Sequence, residues 1–213
     1  MRTQKNSKTI VVEGPIGIGK SSLADKLATS FDCPLVKEKP NENPFLEDFY
    51  TNSQLSALPV QLHFLTERVK QWQHSGTSGL VSDFMPAKDE LFAKLTLNEA
   101  EYALYQNIYQ LLNVNTLTPD LVIYLQAPAD TLQARIKKRG LKHEQKISLR
   151  YLQKVSDAYT AYFHRYTSSP LLIINASDIN PITNDADYEH LLTHINASHS
   201  GRRYINPLPS PSV

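Results

Sequence analysis

A single cysteine, Cys33, stands in a chain of 213 residues, so no internal disulfide can staple it and no Cys/His set at ligand spacing can hold a structural zinc. A reducing compartment suits such a chain. Long apolar runs are absent too: the opening MRTQKNSK leads into only about five apolar residues before Glu13, far short of the roughly 20 that span a bilayer. Nor does charge of one sign dominate. Lys and Arg number 22 against 21 Asp and Glu, a net charge of +1, which excludes a basic nucleic-acid sleeve. With 41% hydrophobic and 20% charged residues a disordered polyelectrolyte is excluded as well. The length suits one α/β domain and is short for two. These absences set the expectation of a cytoplasmic protein that has neither a membrane nor a nucleic-acid polymer as partner.

What is present is an alternation of short apolar runs with helical patterns. Residues 9–13 read as a buried strand, and similar runs recur at 35–36, 79–82, 121–125 and 171–174. The stretches between them carry apolar residues at helical spacing, firmly so over 59–73, 99–112 and 148–166. The spacing predicts an α/β, doubly wound parallel sheet of about five strands with helices on both faces, whose ligands sit at the carboxyl edge of the strands. No repeat or linker divides the chain, which reads as one domain over 1–197. The remainder, 198–213, holds three prolines and little periodicity, and is expected to be mobile or wrapped over the surface.

Directly after the first strand, Gly14-Pro15-Ile16-Gly17-Ile18-Gly19-Lys20-Ser21 satisfies G-x-x-x-x-G-K-[ST] at every required position, with Ser22 opening the following helix. Its glycines let backbone N–H groups curl around phosphate oxygens, Lys20 reaches the β/γ bridge of ATP, and Ser21 is the expected Mg²⁺ ligand. A chance match of this kind is expected in roughly one chain in a hundred of this length. No N-K-x-D guanine-reading motif accompanies it, which sets a GTPase aside. Arg135-Ile-Lys-Lys-Arg139-Gly140 lies at the end of a later helix, and two mobile arginines can close as a lid over transferred phosphate. Arg135, Arg139 and Lys20 are therefore catalytic candidates.

Across most of its length the chain resembles the deoxynucleoside kinases, in particular the bacterial deoxyadenosine and deoxyguanosine kinase branch. The likeness runs in order through EGPIGIGKSSLA, the segment from Glu38 to Tyr50, Gln61 to Arg68, Val81-Ser-Asp83, Leu91-Phe-Ala93-Lys, the strand ending at Leu125, and the arginine cluster. The resemblance implies a P-loop kinase fold with an arginine lid, acting in nucleotide salvage as a homodimer joined by the helices over 59–73 and 99–112. It implies Glu38 as the base for the nucleoside 5′-hydroxyl, with Glu42 the nearest rival. A nucleoside pocket follows from it, formed by Gln61, Phe64 and Arg68 on one helix, Tyr50 and Glu144 at the sugar, and Phe92 stacked on the base. Asp83 is the implied acidic residue on the metal side, beside Ser21. Two departures stand out. Many relatives follow that acid with arginine and serine, where this chain has Phe84-Met85, so the missing charge falls to Lys88 or the base-specifying duty to Asp89. Leu141 stands where several relatives carry another lid arginine.

The leading reading is therefore an ATP- and Mg²⁺-dependent kinase for a deoxynucleoside, purine favoured. A nucleoside monophosphate kinase such as thymidylate kinase is the competing enzyme, and it should need arginines around the acceptor. A nucleotide-binding module without catalysis is a third reading, supported by Phe84 and Leu141.

Overall fold

Residues 8–51, 53–74, 79–86, 88–112, 118–197 and 200–205 are described by a computed structural model of the chain. Six strands, β1 (Ile10–Glu13), β2 (Leu35–Val36), β3 (Val81–Ser82), β4 (Leu121–Gln126), β5 (Leu171–Asn175) and β6 (Arg202–Ile205), form one parallel sheet in the order β2-β3-β1-β4-β5-β6. The expectation of about five strands thus falls one short. The sixth comes from the stretch expected to be mobile. Its residues Arg202, Arg203 and Tyr204 are exposed and Ile205 alone is buried, so an edge strand hides behind a polar sequence that carries no alternating apolar signal. The prolines that follow lie outside the described residues.

Among the described residues eight α-helices surround the sheet or pack on its helical layers: α1 (Lys20–Phe31), α2 (Leu46–Thr51), α3 (Ser53–His74), α4 (Lys88–Thr96), α5 (Glu99–Leu111), α6 (Ala129–Arg139), α7 (Leu149–Arg165) and α8 (Asp185–Asn196). Successive residues of a strand point to opposite faces, and β1 shows the result. Ile10 and Val12 pack with Leu23 and Leu27 of α1, Leu132 of α6 and Leu191 of α8, while Val11 packs on the other face with Val155, Tyr159 and Phe163 of α7. Each such aliphatic side chain removed from water contributes about 1.5–3 kcal/mol, which holds both helical layers to the sheet. The central strands β1, β4 and β5 are therefore apolar up to their last residue, which is Glu13 in β1, Gln126 in β4 and Asn175 in β5.

Helix α3 starts six residues before the start expected at Pro59. Proline suits a first turn, where its missing N–H has no partner to lose, but here it sits in the second turn of a 22-residue helix. Buried Val60, Leu65, Val69 and Trp72 hold the rest of the helix in place. The capping of α5 is legible in the sequence: the Asn98 side chain accepts from Glu101 N–H and the Glu101 side chain accepts from Asn98 N–H. With β1, β2, β3 and β4 all ending on one edge, Glu13, Glu38, Asp83 and the residues after Gln126 gather there.

Candidate active site

The phosphate loop follows β1 and runs into α1. Gly14 and Gly17 have φ of +150° and +82°, and a side chain at Gly17 would stand 2.7 Å from Ile136 Cγ1 of α6. Only glycine fits that close approach at that backbone angle. Ile18 is buried and its N–H donates to Pro15 O at 3.3 Å, which closes the loop, while Lys20 Nζ donates to the same carbonyl at 3.1 Å. Ile16, Gly17, Lys20 and Ser21 line a cleft, whereas Ser22 is exposed on α1 and does not. Burial, then the neighbouring Lys88 ammonium, push the Lys20 pKa down to about 8 against the opposing pull of Glu13, Glu38 and Asp83.

Asp83, at the end of β3, is buried and joins two elements. Its carboxylate accepts from the Ser21 hydroxyl of α1 and from Glu38 N–H at 2.7 Å. Ser21 and Asp83 are thus brought together as the sequence implied.

Glu38 follows β2 and faces the cleft. The guanidinium of Arg68 donates to its Oε1, and Lys88 Nζ donates to its Oε2 at 3.0 Å. Burial alone would raise this carboxyl, but Arg68 and Lys88 outweigh it and hold Glu38 far below the usual carboxylate range. Glu42 pairs instead with Lys39 at 3.0 Å, largely in solvent, and is not among the residues that line the cleft.

The two assignments left open at 88 and 89 resolve into two places. Lys88 lines the cleft against Glu38, and its Nζ lies 5.5 Å from the Phe92 ring centroid. Asp89 lies behind, fully buried, in an ion pair with Arg68. Arg68 therefore bridges Glu38 and Asp89. Phe84 sits in the core, its ring 6.0 Å from that of Trp72, and adds nothing to the cleft wall.

Gln61 and Arg68 share a face of α3 together with Phe64, as two helical turns require, and all three line the cleft. Gln61 Nε2 donates to Thr96 Oγ1 at 3.2 Å, and that hydroxyl donates to Phe92 O at 2.8 Å. Tyr50 and Glu144 line the far end, where Arg139 Nη2 donates to both Glu144 oxygens at 2.6 and 2.5 Å. Arg135 is not brought there. Its guanidinium donates to Ile18 O at 3.1 Å and Ala176 O at 2.7 Å, so it braces the phosphate loop against the end of β5. Four residues of helix carry Arg139 past the loop that Arg135 already occupies. Leu46, Phe49 and Tyr151 also line the cleft. In the sequence these look like core residues of amphipathic helices, and no local signal separates the two roles. Glu13, a lone acid at the end of an apolar strand, is buried behind the cleft and does not line it.

A phosphate cradle whose cleft also holds a carboxylate gripped by two cations, on this sheet order, defines a P-loop phosphotransferase. The family model described as Deoxynucleoside kinase matches residues 10–199, and the chain belongs to that family. It is 32% identical to a deoxyguanosine kinase of Bacillus subtilis over 196 residues, covering 87% of this chain and 95% of that one. A deoxyadenosine kinase of Dictyostelium discoideum is 30% identical over 216 residues, covering 95% and 84%. Among solved structures, the deoxyadenosine kinase of M. mycoides with bound dCTP superposes with a TM-score of 0.78 at 25% identity, covering 88% of this chain and 98% of that one.

Proposed function

We propose that the chain transfers the γ-phosphoryl group of ATP to the 5′-hydroxyl of a deoxynucleoside, purine deoxynucleosides preferred, in nucleotide salvage. The observation that carries this is the engagement of the cleft's cations. Arg68 is held by Glu38 and Asp89, Lys88 by Glu38, and Arg139 by Glu144. An acceptor monophosphate would have to displace these carboxylates to find a counter-charge, whereas an uncharged nucleoside calls for no counter-charge and does not compete for the cations. This favours a nucleoside acceptor over the monophosphate of a thymidylate kinase. The names of the two relatives support the purine preference.

In this reading Glu38 accepts the proton of the 5′-hydroxyl as the phosphoryl group departs from ATP. A carboxylate held so far towards its ionised form is a weak base in the empty cleft. A bound hydroxyl that takes over a hydrogen bond to Glu38 loosens its ties to Arg68 and Lys88 and strengthens it. Lys88 supplies the charge that Phe84 lacks. Gln61 meets the base edge, Phe64 and Phe92 its faces, and Tyr50 and Glu144 the sugar. Lys20 and the loop amides hold the triphosphate, and Arg139 reaches over it once Glu144 releases it. Ser21 and Asp83 fit Mg²⁺, since a hydroxyl and a buried carboxylate stand in contact beneath the loop as hard oxygen donors. The metal would neutralise charge on the transferring phosphoryl.

The kinase domain proper is placed at 1–197, with the sheet extended by β6. We place the protein in the cytoplasm; no helix among the described residues is long and apolar enough to cross a membrane. We also propose a homodimer through α3 and α5, supported by exposed Leu104 and Leu111 on α5.

An ADP-release assay with Mg-ATP against the four natural deoxynucleosides, their ribosides and their monophosphates tests the reading. Turnover with purine deoxynucleosides above the others is expected. Turnover with monophosphates alone would overturn it, and ATP binding without any turnover would establish the non-catalytic module.

A further inference from the structure

Glu13 is completely buried and does not line the cleft, yet its carboxylate is surrounded by donors from three parts of the fold. Oε1 accepts from Met85 N–H at 2.8 Å. Oε2 accepts from Gly14 N–H at 3.2 Å and from the Tyr159 hydroxyl at 3.0 Å. Gly14 opens the phosphate loop. Met85 stands between Asp83 and Lys88 and accepts from Lys88 N–H at 3.0 Å, so it sets the start of α4. Tyr159 belongs to α7 and meets the ring of Phe92 edge-on at 6.1 Å.

Among the described residues no backbone hydrogen bond joins the phosphate loop to the Asp83–Lys88 segment. The ladder between β1 and β3 ends at Val11 and Ser82, and beyond it the two chains are joined by side chains, Ser21 to Asp83 and Glu13 to Met85. An apolar residue at position 13 would leave three inward-facing donors without an acceptor. Burying a carboxyl group there is costly as well, and the cost has to be met by what the group holds together. Burial raises its carboxyl above the usual range, against the pull of Lys88 from α4, Lys20 from α1 and the two N–H groups.

We propose that Glu13 is a positioning residue for phosphoryl transfer, whose two side-chain oxygens tie the phosphate loop, the Asp83–Lys88 segment and the Tyr159–Phe92 wall to one point and so set the distance from donor to acceptor. It touches neither substrate. Its effect is on alignment, which matters most in the reacting geometry and least in the binding of either substrate alone.

The test is Glu13→Gln. One amide oxygen cannot serve all three donors, and the amide nitrogen must face at least one of them. With the best deoxynucleoside and ATP, kcat should fall roughly 10- to 100-fold while both KM values stay within about threefold, as misalignment requires. Amide hydrogen exchange should quicken at 14–19 and 83–88 and remain as in the wild type across β5. A folded variant with kcat within threefold of wild type, or with KM raised and kcat kept, overturns the proposal. Should Glu13→Gln fail to fold, Tyr159→Phe keeps the ring and removes one donor. A three- to tenfold loss of kcat at constant KM is then expected, and wild-type kcat overturns the proposal. The inference rests on the kinase reading. If the wild type phosphorylates no deoxynucleoside, that reading fails by itself, and unchanged exchange at 14–19 and 83–88 would still overturn the role of Glu13.

Discussion

Glu38 shows how much one side chain depends on its neighbours. Glu38→Gln keeps the shape and a hydrogen-bonding oxygen but has no basicity, and general-base assistance is typically worth ~10²- to 10⁴-fold. In a loose transition state the nucleophile bonds late, so a kcat loss of roughly 10²-fold is expected, with nucleoside binding changed less than about tenfold. Glu42→Gln, altering an exposed pair with Lys39, should leave steady-state rates as they are. The same measurement on Lys88→Met should show kcat reduced by at least about tenfold, since a charge-assisted bond to Glu38 is lost in a buried cleft. Lys20 adds a pH dependence. Its ammonium is the active form and its pKa is pushed down to about 8, so kcat/KM for ATP should fall as pH rises through about 8. A bound triphosphate favours the charged form, and kcat should therefore hold to higher pH. At this scale the sequence was legible where chemistry leaves a pattern. Gly14 to Ser21 announce themselves, and Glu38, Gln61 and Arg68 became readable through the resemblance. Nothing local told that Asp89 would lie behind Arg68 while Lys88 took the cleft, because one residue of helix turns a side chain by about 100°.

At the level of elements, the two arginines of the proposed lid stand in different places. α6 carries both arginines, but Arg135 is spent on two backbone carbonyls, of the phosphate loop and of the segment after β5. Hydrogen bonds from a charged donor are worth about 1.5–3 kcal/mol each, so Arg135→Met should lower the melting temperature and raise KM for ATP. Arg139→Met should reduce kcat first, with the nucleoside KM following only weakly; thermal unfolding and steady-state kinetics on the two variants separate these outcomes. Spacing alone groups the arginines as one cluster, since i and i+4 share a helix face, and what divides them is the tertiary neighbour of each turn. The strands were legible for a similar reason in reverse. A central parallel strand is apolar on both faces, so β1, β4 and β5 stand out, whereas β6 shows solvent three residues in four and α4 begins with buried Lys88 and Asp89. Elements whose residues serve a site or an edge lose the pattern that betrays them.

For the whole molecule, α5 presents Leu104 at 48% and Leu111 at 84% exposure to solvent, one helical face apart by two turns. Sedimentation equilibrium should give the mass of a dimer, and Leu111→Glu should shift it towards the monomer while sparing the monomer's fold. The sheet order has a consequence for synthesis. β1 and the phosphate loop are made before either flanking strand, so Ile10 has no strand to pair with until Val81 has been made and only one until Leu121 follows. Until then a largely apolar strand waits with at least one edge unpaired. The nascent chain is thus exposed to chaperones, and to aggregation, for as long as the strands that will flank the catalytic loop are still being assembled.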